Sequence, residues 1–211
     1  MKTPGKIQVR ELKPENAVDY FRLFDEVYDH DSWLNFKENP GWGGCYCTFH
    51  DDPREEDAIN ESQDKRGDNK SARTRTIQSG SASGLLAYVD GAVAGWCNVA
   101  PRNSYANPRN VIQVGDDKAE KVGSITCFLV AEGYRGSGVA STLLGSATSL
   151  IGSWGFEVAE GYPRNPEATT TGYDIPDVNL QFRGSMNMFL KNGFHVHKKL
   201  DRMVLVRKPL R

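Results

Sequence analysis

The sequence predicts an α/β protein, specifically an α+β arrangement in which helices flank a mixed sheet, and three features carry that reading. Two apolar runs in G-L-L-A-Y-V-D-G-A-V-A-G-W-C-N-V-A are joined by Asp90-Gly91, a strong signal for a tight turn between antiparallel strands. The segment S-I-T-C-F-L-V, residues 124–130, is short, continuous and rich in β-branched and aromatic residues, as a buried central strand should be. After it, a glycine-rich turn opens the clearest helical pattern in the chain, with Val139, Leu143, Leu144, Ala147, Leu150, Ile151 and Trp154 spaced three or four apart. A strand pattern follows at 156–162, and strand, helix, strand in that order is a right-handed crossover between parallel strands.

The remaining elements follow in chain order. A short I-Q-V run is β1, and residues 14–30 place Ala17, Val18, Tyr20, Phe21, Leu23, Phe24, Val27 and Tyr28 at helical spacing. Residues 39–50, N-P-G-W-G-G-C-Y-C-T-F-H, read as an ordered loop. The charged stretch from there to residue 75 reads as one or two solvated helices. The Asp90-Gly91 hairpin supplies β2 and β3, and residues 101–122 are a polar excursion before β4 at 124–130. β5 is 156–162, a Pro- and Thr-rich loop runs to about residue 177, and a helix at 180–192 ends at Gly193. Residues 194–200 and 203–207, joined at Asp201-Arg202, are β6 and β7. The basic C-terminal residues Lys191, Lys198, Lys199, Arg202, Arg207, Lys208 and Arg211 read as a solvated strand face.

Composition narrows the function. At 211 residues the chain fits one domain spanning 1–211. Its 26 Lys and Arg against 27 Asp and Glu leave a net charge of −1, so the whole-protein charge offers no case for nucleic acid or a membrane surface. The N-terminal residues lack an apolar signal-type segment, and no stretch approaches the roughly 18 apolar residues of a spanning helix. A cytoplasmic protein with reduced thiols at Cys45, Cys47, Cys97 and Cys127 is the expectation. Cys45-Tyr46-Cys47 with His50 invites a metal reading. It lacks C-x-x-C spacing and a second cysteine pair, and in an extended stretch the two thiols would point to opposite faces, so no metal is expected.

The turn after β4 carries the functional signal. Gly136 and Gly138 lack Cβ atoms at the mouth of a helix, where backbone N–H groups of residues 136–140 can receive a phosphate and Arg135 adds positive charge. A Walker loop needs Gly-Lys-Ser/Thr, and Val139 stands there instead. A dinucleotide fingerprint lacks its third glycine, which is Ser141 here, although Glu157 and Glu160 sit where a ribose-binding acid would be. The third pattern fits best. Arg135-Gly136-Ser137-Gly138-Val139-Ala140 matches the Q/R-x-x-G-x-G/A signature of the GNAT superfamily of N-acyltransferases.

The resemblance extends further. V-A-E-G-Y-R-G-S-G-V-A resembles that family's V-x-P-x-Y-R-G-x-G-x-G, with Gly133 in place of proline. M-F-L-K-N-G-F, residues 188–194, resembles its late L-Y-x-K-x-G-F junction, and A-G-W-C-N-V, residues 94–99, falls in its β2–β3 hairpin. Residues 84–207 are covered. The resemblance implies a mixed, mostly antiparallel twisted sheet splayed between β4 and β5, with acyl-CoA in the cleft. Phe128, Leu129 and Val130 would pair with the pantetheine, and Arg135, Gly136, Ser137, Gly138, Val139 and Ala140 would hold the phosphates. It implies an N-acetyltransferase that moves an acetyl group from acetyl-CoA to an amine of a small molecule or peptide by direct attack, and it leaves a homodimer open. The acceptor amine would enter from the 31–78 side, where the C-Y-C loop either walls the pocket or simply packs.

An amine of pKa about 10.4 is protonated at neutral pH, so direct attack needs a base, and the thioester carbonyl needs a donor. By resemblance that donor is a backbone N–H near Val130. Glu160 is the candidate base, on one strand face with Tyr162 and Val158, and Glu132 and His50 are alternatives. The family's proton-donating tyrosine corresponds to Phe189, so Tyr162 is the candidate acid, with an ordinary strand-end aromatic as its plain reading. The missing tyrosine also admits a non-catalytic acyl-CoA-binding or sensing module. A dinucleotide-binding oxidoreductase is the further alternative.

Overall fold

The computed structural model describes residues 5–30, 43–50, 62–105, 121–167 and 182–210. Among the described residues seven strands lie in one sheet in the order β1-β2-β3-β4-β5-β7-β6. β1 (Ile7–Glu11), β2 (Leu85–Val89), β3 (Ala92–Pro101) and β4 (Val122–Val130) form one antiparallel block. β5 (Val158–Gly161), β6 (His195–Lys199) and β7 (Val204–Pro209) form another. The blocks meet where β5 runs parallel to β4, and that pairing covers only Val122 to Ile125 opposite Val158 to Gly161. Asp90 and Gly91 both have positive φ, 50° and 87°, as a two-residue hairpin matched to strand twist requires.

Helices cover both faces. α1 (Ala17–His30) packs Tyr20, Leu23, Phe24 and Val27 on Leu86, Tyr88, Trp96 and Leu129. α3 (Val139–Ser153) packs Leu143, Leu144, Ala147 and Ile151 on Ala87, Cys97, Val99 and Ile125. Between them in sequence, α2 (Lys65–Gln78) is capped by Asp64 Oδ1, which accepts from the Gly67 N–H at 2.9 Å. α2 docks on α1 through Asp25, which accepts from Arg66 at 2.9 Å and Lys70 at 2.8 Å. Burial raises the Asp25 pKa, but these cations and the Tyr46 hydroxyl outweigh it and hold the carboxyl below its usual range.

A β-bulge in β4 sets which side chains share a face. Asn98 pairs with Cys127 and Val99 with Ile125, so Thr126 is an extra residue on β4. The alternation is thereby reset: Ile125 and Phe128, three apart, both join the α3-side core, while Cys127 and Leu129 join the α1-side core.

Several sequence expectations shift. The charged stretch to residue 75 contains α2, whose Arg73 is fully buried where a solvated helix was expected, because its guanidinium satisfies loop carbonyls of Tyr46 and Cys47. Residues 51–61 of that stretch lie outside the described residues. The helix expected at 180–192 is α4 (Met186–Lys191); Gly184, at φ 79°, precedes the Ser185 cap, which accepts from the Met188 N–H, and residues 180–181 lie outside the described residues. Arg207, read as part of a solvated face, is buried against Glu160, whereas all of β6 is exposed. No described helix is long and apolar enough to cross a membrane.

Candidate active site

The β4–α3 turn opens as the glycines dictate. Gly136 and Gly138 have φ of 74° and 91°, a region that L side chains rarely adopt, and Gly138 caps α3 with no side chain over the helix mouth. The first turn of α3 carries no acid, so its N–H groups face an uncompensated opening. In front of it lies a cavity of about 330 Å³. Phe128 and Val130 of β4 line it, with Arg135, Gly136 and Gly138 of the turn and Val139 and Ala140 of α3. Two predicted residues do not line it. Leu129 packs on the α1-side core, and Ser137 donates its hydroxyl to the Tyr134 carbonyl at 2.6 Å. Arg135 Nε donates to the Val130 carbonyl at 3.0 Å, so this arginine also ties the turn to the strand.

Sequence reading missed the opposite wall, formed by Gly184, Ser185 and Met188, and also Tyr134 and Ser141. Ser185 as a helix cap was a readable signal; the contact of α4 with β4 was not. Beneath the cavity the Phe189 ring is fully buried and packs edge-on to Phe128 and Phe194. A Cβ on Gly161 would stand 2.6 Å from Phe189 Cζ, so the glycine at the end of β5 is what lets the ring occupy the splay between β4 and β5. Past Ile125, β4 has no strand beside it on the β5 side among the described residues, and residues 126–130 form a sheet edge there leading to the α3 mouth, with the Val130 carbonyl held by Arg135.

Glu160 and Tyr162 lie elsewhere, in a polar cluster around Ser124, and both are fully buried. Glu160 Oε2 accepts from Arg207 Nε at 2.9 Å and from Arg102 Nη1 at 3.4 Å. Its Oε1 accepts from the Tyr162 hydroxyl, which is also 2.7 Å from Ser124 Oγ. Burial, then the charge and hydrogen bond of Glu160, push the Tyr162 hydroxyl well above its usual pKa. The proposed base and acid are therefore in contact with each other. Neither faces the first cavity, whose lining includes neither residue.

Of the alternatives, Glu132 is exposed in the turn that follows β4. His50 is buried, its ring against Tyr105, and burial together with Arg183 and Arg73 lowers its pKa to about 3. A neutral imidazole of that kind is a weak proton acceptor. Its Nδ1 has no hydrogen-bond partner among the described residues. Cys45 and Cys47 are not extended: Tyr46 and Cys47 have φ of 41° and 49°, and the Cys47 N–H donates to Cys45 Sγ at 3.4 Å. Tyr20 and Arg73 both donate to the Tyr46 carbonyl, fixing this left-handed turn. Burial pushes the Cys45 thiol up to about 12, and a hydrogen bond with Cys47, then burial, push Cys127 well above its usual value. Among the described residues no group of three His, Cys, Asp or Glu side chains is placed to hold a metal.

A seven-stranded mixed sheet with one parallel β4–β5 seam and a glycine-opened helix mouth defines an acyltransferase-type fold, and comparison with known proteins places it. The Acetyltransferase (GNAT) family pattern matches residues 42–168, and the chain belongs to that family. Among solved structures, a GNAT-family acetyltransferase from Streptococcus pneumoniae superposes with a TM-score of 0.52 at 14% identity, covering 98% of this chain and 100% of that one. A GCN5-related N-acetyltransferase from Kribbella flavida gives 0.51 at 17%, covering 97% and 98%. YncA of Salmonella typhimurium, solved with its cofactor acetyl-CoA, gives 0.51 at 10%, covering 97% and 94%. At these identities the likeness is one of fold. No curated protein sequence matches.

Proposed function

We propose that the protein is a single-domain N-acetyltransferase that takes acetyl-CoA in the β4–α3 cavity and transfers the acetyl group directly to an amine entering from the α1 side. The observation that carries this reading is the β4 edge at residues 126–130, beside which no strand lies on the β5 side among the described residues, running into the open mouth of α3. A pantetheine amide chain can add to such an edge as an extra strand, and a pyrophosphate fits N–H groups left without acids. Phe128, Leu129 and Val130 would supply backbone bonds, with an N–H near Val130 toward the thioester carbonyl; the turn 135–140 would hold the phosphates. That a structure of the same fold was solved with acetyl-CoA supports an acyl-CoA as the ligand.

The cysteines support direct attack. Cys127 and Cys45 are held as thiols, and a thiol is a poor first acceptor for an acetyl group. Glu160 is the base in this reading, and because Glu160, Tyr162 and Ser124 all lack exposed surface, the reading requires the cluster to open before an ammonium proton can enter it. Tyr162 is the acid in this reading; its raised pKa makes it a weak donor, so it passes a proton to the leaving thiolate only as Glu160 returns to it the proton taken from the amine.

Calorimetry with acetyl-CoA and thiol release over a panel of amines test the proposal. Binding together with thiol release is expected. Phe189, which puts no hydroxyl at the splay, favours a second reading as a non-catalytic acyl-CoA-binding module; binding without release for any amine would establish it. Binding of NAD that coenzyme A does not displace would refute both.

A further inference from the structure

We propose that Tyr105 and Asn98 are positioning residues that pin the β4 bulge and thereby aim the acetyl end of the β4 edge. The bulge at Thr126 is what turns Phe128 and Val130 toward the coenzyme cavity while Ser124 stays with Tyr162 and Glu160 on the opposite face. A bulge residue lacks a ladder partner, and its twist is set by whatever holds it. Here the Tyr105 hydroxyl donates to Asn98 Oδ1 at 2.8 Å, and lies 3.3 Å from the Ser124 carbonyl oxygen and 3.4 Å from Thr126 Oγ1. Asn98 is itself the register partner of Cys127, on the other side of the bulge, and its Nδ2 donates to Cys47 Sγ at 3.2 Å.

All these groups are buried: Asn98, Ser124 and Thr126 have no exposed surface and Tyr105 has 5%. One hydroxyl therefore touches the bulge residue Thr126, the Ser124 carbonyl before it and Asn98 on the facing strand, and Asn98 extends the clamp to the 43–50 loop. In a dry setting each bond is strong and its loss is felt, since the remaining partner stays desolvated. A one-residue slip here would move Phe128 to the wrong face. Smaller changes of twist would displace the reacting carbonyl without touching the phosphate end of the site at α3.

The test uses Tyr105→Phe, which keeps the ring against His50 and removes only the hydroxyl. This inference rests on the acetyl-transfer reading. The expected result is a fall in kcat of about tenfold or more, an acetyl-CoA Kd changed by less than about threefold, and faster amide exchange at residues 126–130. Asn98→Ala should do the same, and the double variant should be no worse than the poorer single, because both act on one element. Ile77→Val, a core truncation in α2, supplies a destabilised control whose kcat stays normal. Unchanged kcat and unchanged exchange in Tyr105→Phe, or a kcat loss matched by the control, or additive single effects, would each overturn the clamp. If the wild-type protein transfers acetyl to no amine, the functional reading fails, and amide exchange in β4 still decides the clamp.

Discussion

Replacing Glu160 with glutamine removes one charge from a site where two guanidinium groups, each no more than 7% exposed, converge on the same carboxylate oxygen. Water cannot take over that role. Taking one partner from a buried ion pair costs about 3–5 kcal/mol. Glutamine keeps the shape and one carbonyl oxygen for Tyr162 or Arg207, which places the expected loss near the lower figure, about 3 kcal/mol. For a chain of this size each kcal/mol shifts Tm by roughly 2–4 °C, so the variant should melt about 6–12 °C lower. Differential scanning calorimetry at neutral pH measures this directly. Adding Arg207→Met should recover part of the loss, because a cation leaves with its counter-charge. A Tm within about 2 °C of wild type would refute the reasoning, showing that Glu160 does not hold the two arginines electrostatically. Activity must then be compared well below the lower Tm: if Glu160 accepts the proton, kcat/KM falls by roughly 100-fold even in fully folded protein.

The remaining predictions concern both ends of the site. Gly138→Trp should cut acetyl-CoA affinity by about 100-fold, about 2.8 kcal/mol, while the fold loses only about 1–2 kcal/mol of left-handed strain, since a Cβ there meets nothing within 4 Å; unchanged affinity in titration calorimetry would remove the phosphate assignment. Arg135→Ala should weaken coenzyme A binding more at low salt than at high, and a residual salt-independent loss would report its bond to the Val130 carbonyl. His50 governs acid stability. Its pKa is 6.5 ordinarily and about 3 in the fold, so above 6.5 neither state is charged and stability is full. As pH falls from 6.5 toward 3, the unfolded chain gains a proton that the folded one refuses, at a cost of up to about 1.4 kcal/mol per pH unit. His50→Leu should flatten that slope in urea titrations between about pH 4 and 6.5, and parallel slopes would mean that His50 is not held neutral.

What could be read in the sequence was what local chemistry enforces. Asp90-Gly91 forces a hairpin, the 139–154 pattern forces one buried helix face, and R-G-S-G-V-A opens a helix mouth; each appears as expected. What could not be read depends on neighbours distant in the chain. Arg73 looks like one charge among many until Tyr46 and Cys47 offer it carbonyls, and Glu160 and Tyr162 look like separate catalysts until Arg102 and Arg207 arrive from other elements. Tyr105 reads as part of a polar excursion because nothing in its flanks shows that its hydroxyl meets Asn98 and Thr126. The bulge at Thr126 has no sequence signature either, since S-I-T-C-F-L-V reads as an uninterrupted strand.

The parallel seam between β4 and β5 also has a consequence for assembly. β2 to β4 are neighbours in both chain and space, apart from the excursion before β4, so their hairpin contacts close short loops. β5 must wait for α3 to cross the sheet, and β7, the last strand in the chain, inserts between β5 and β6. During synthesis, the N-terminal block would therefore emerge with its β4 edge bare until α3 has crossed the sheet and β5 has left the ribosome. That edge is a template for pairing with another nascent copy, and the four residue pairs of the seam are what eventually compete with it. Truncations that spare the coenzyme cavity but remove β7 should thus fail by aggregation during expression, not by loss of ligand affinity.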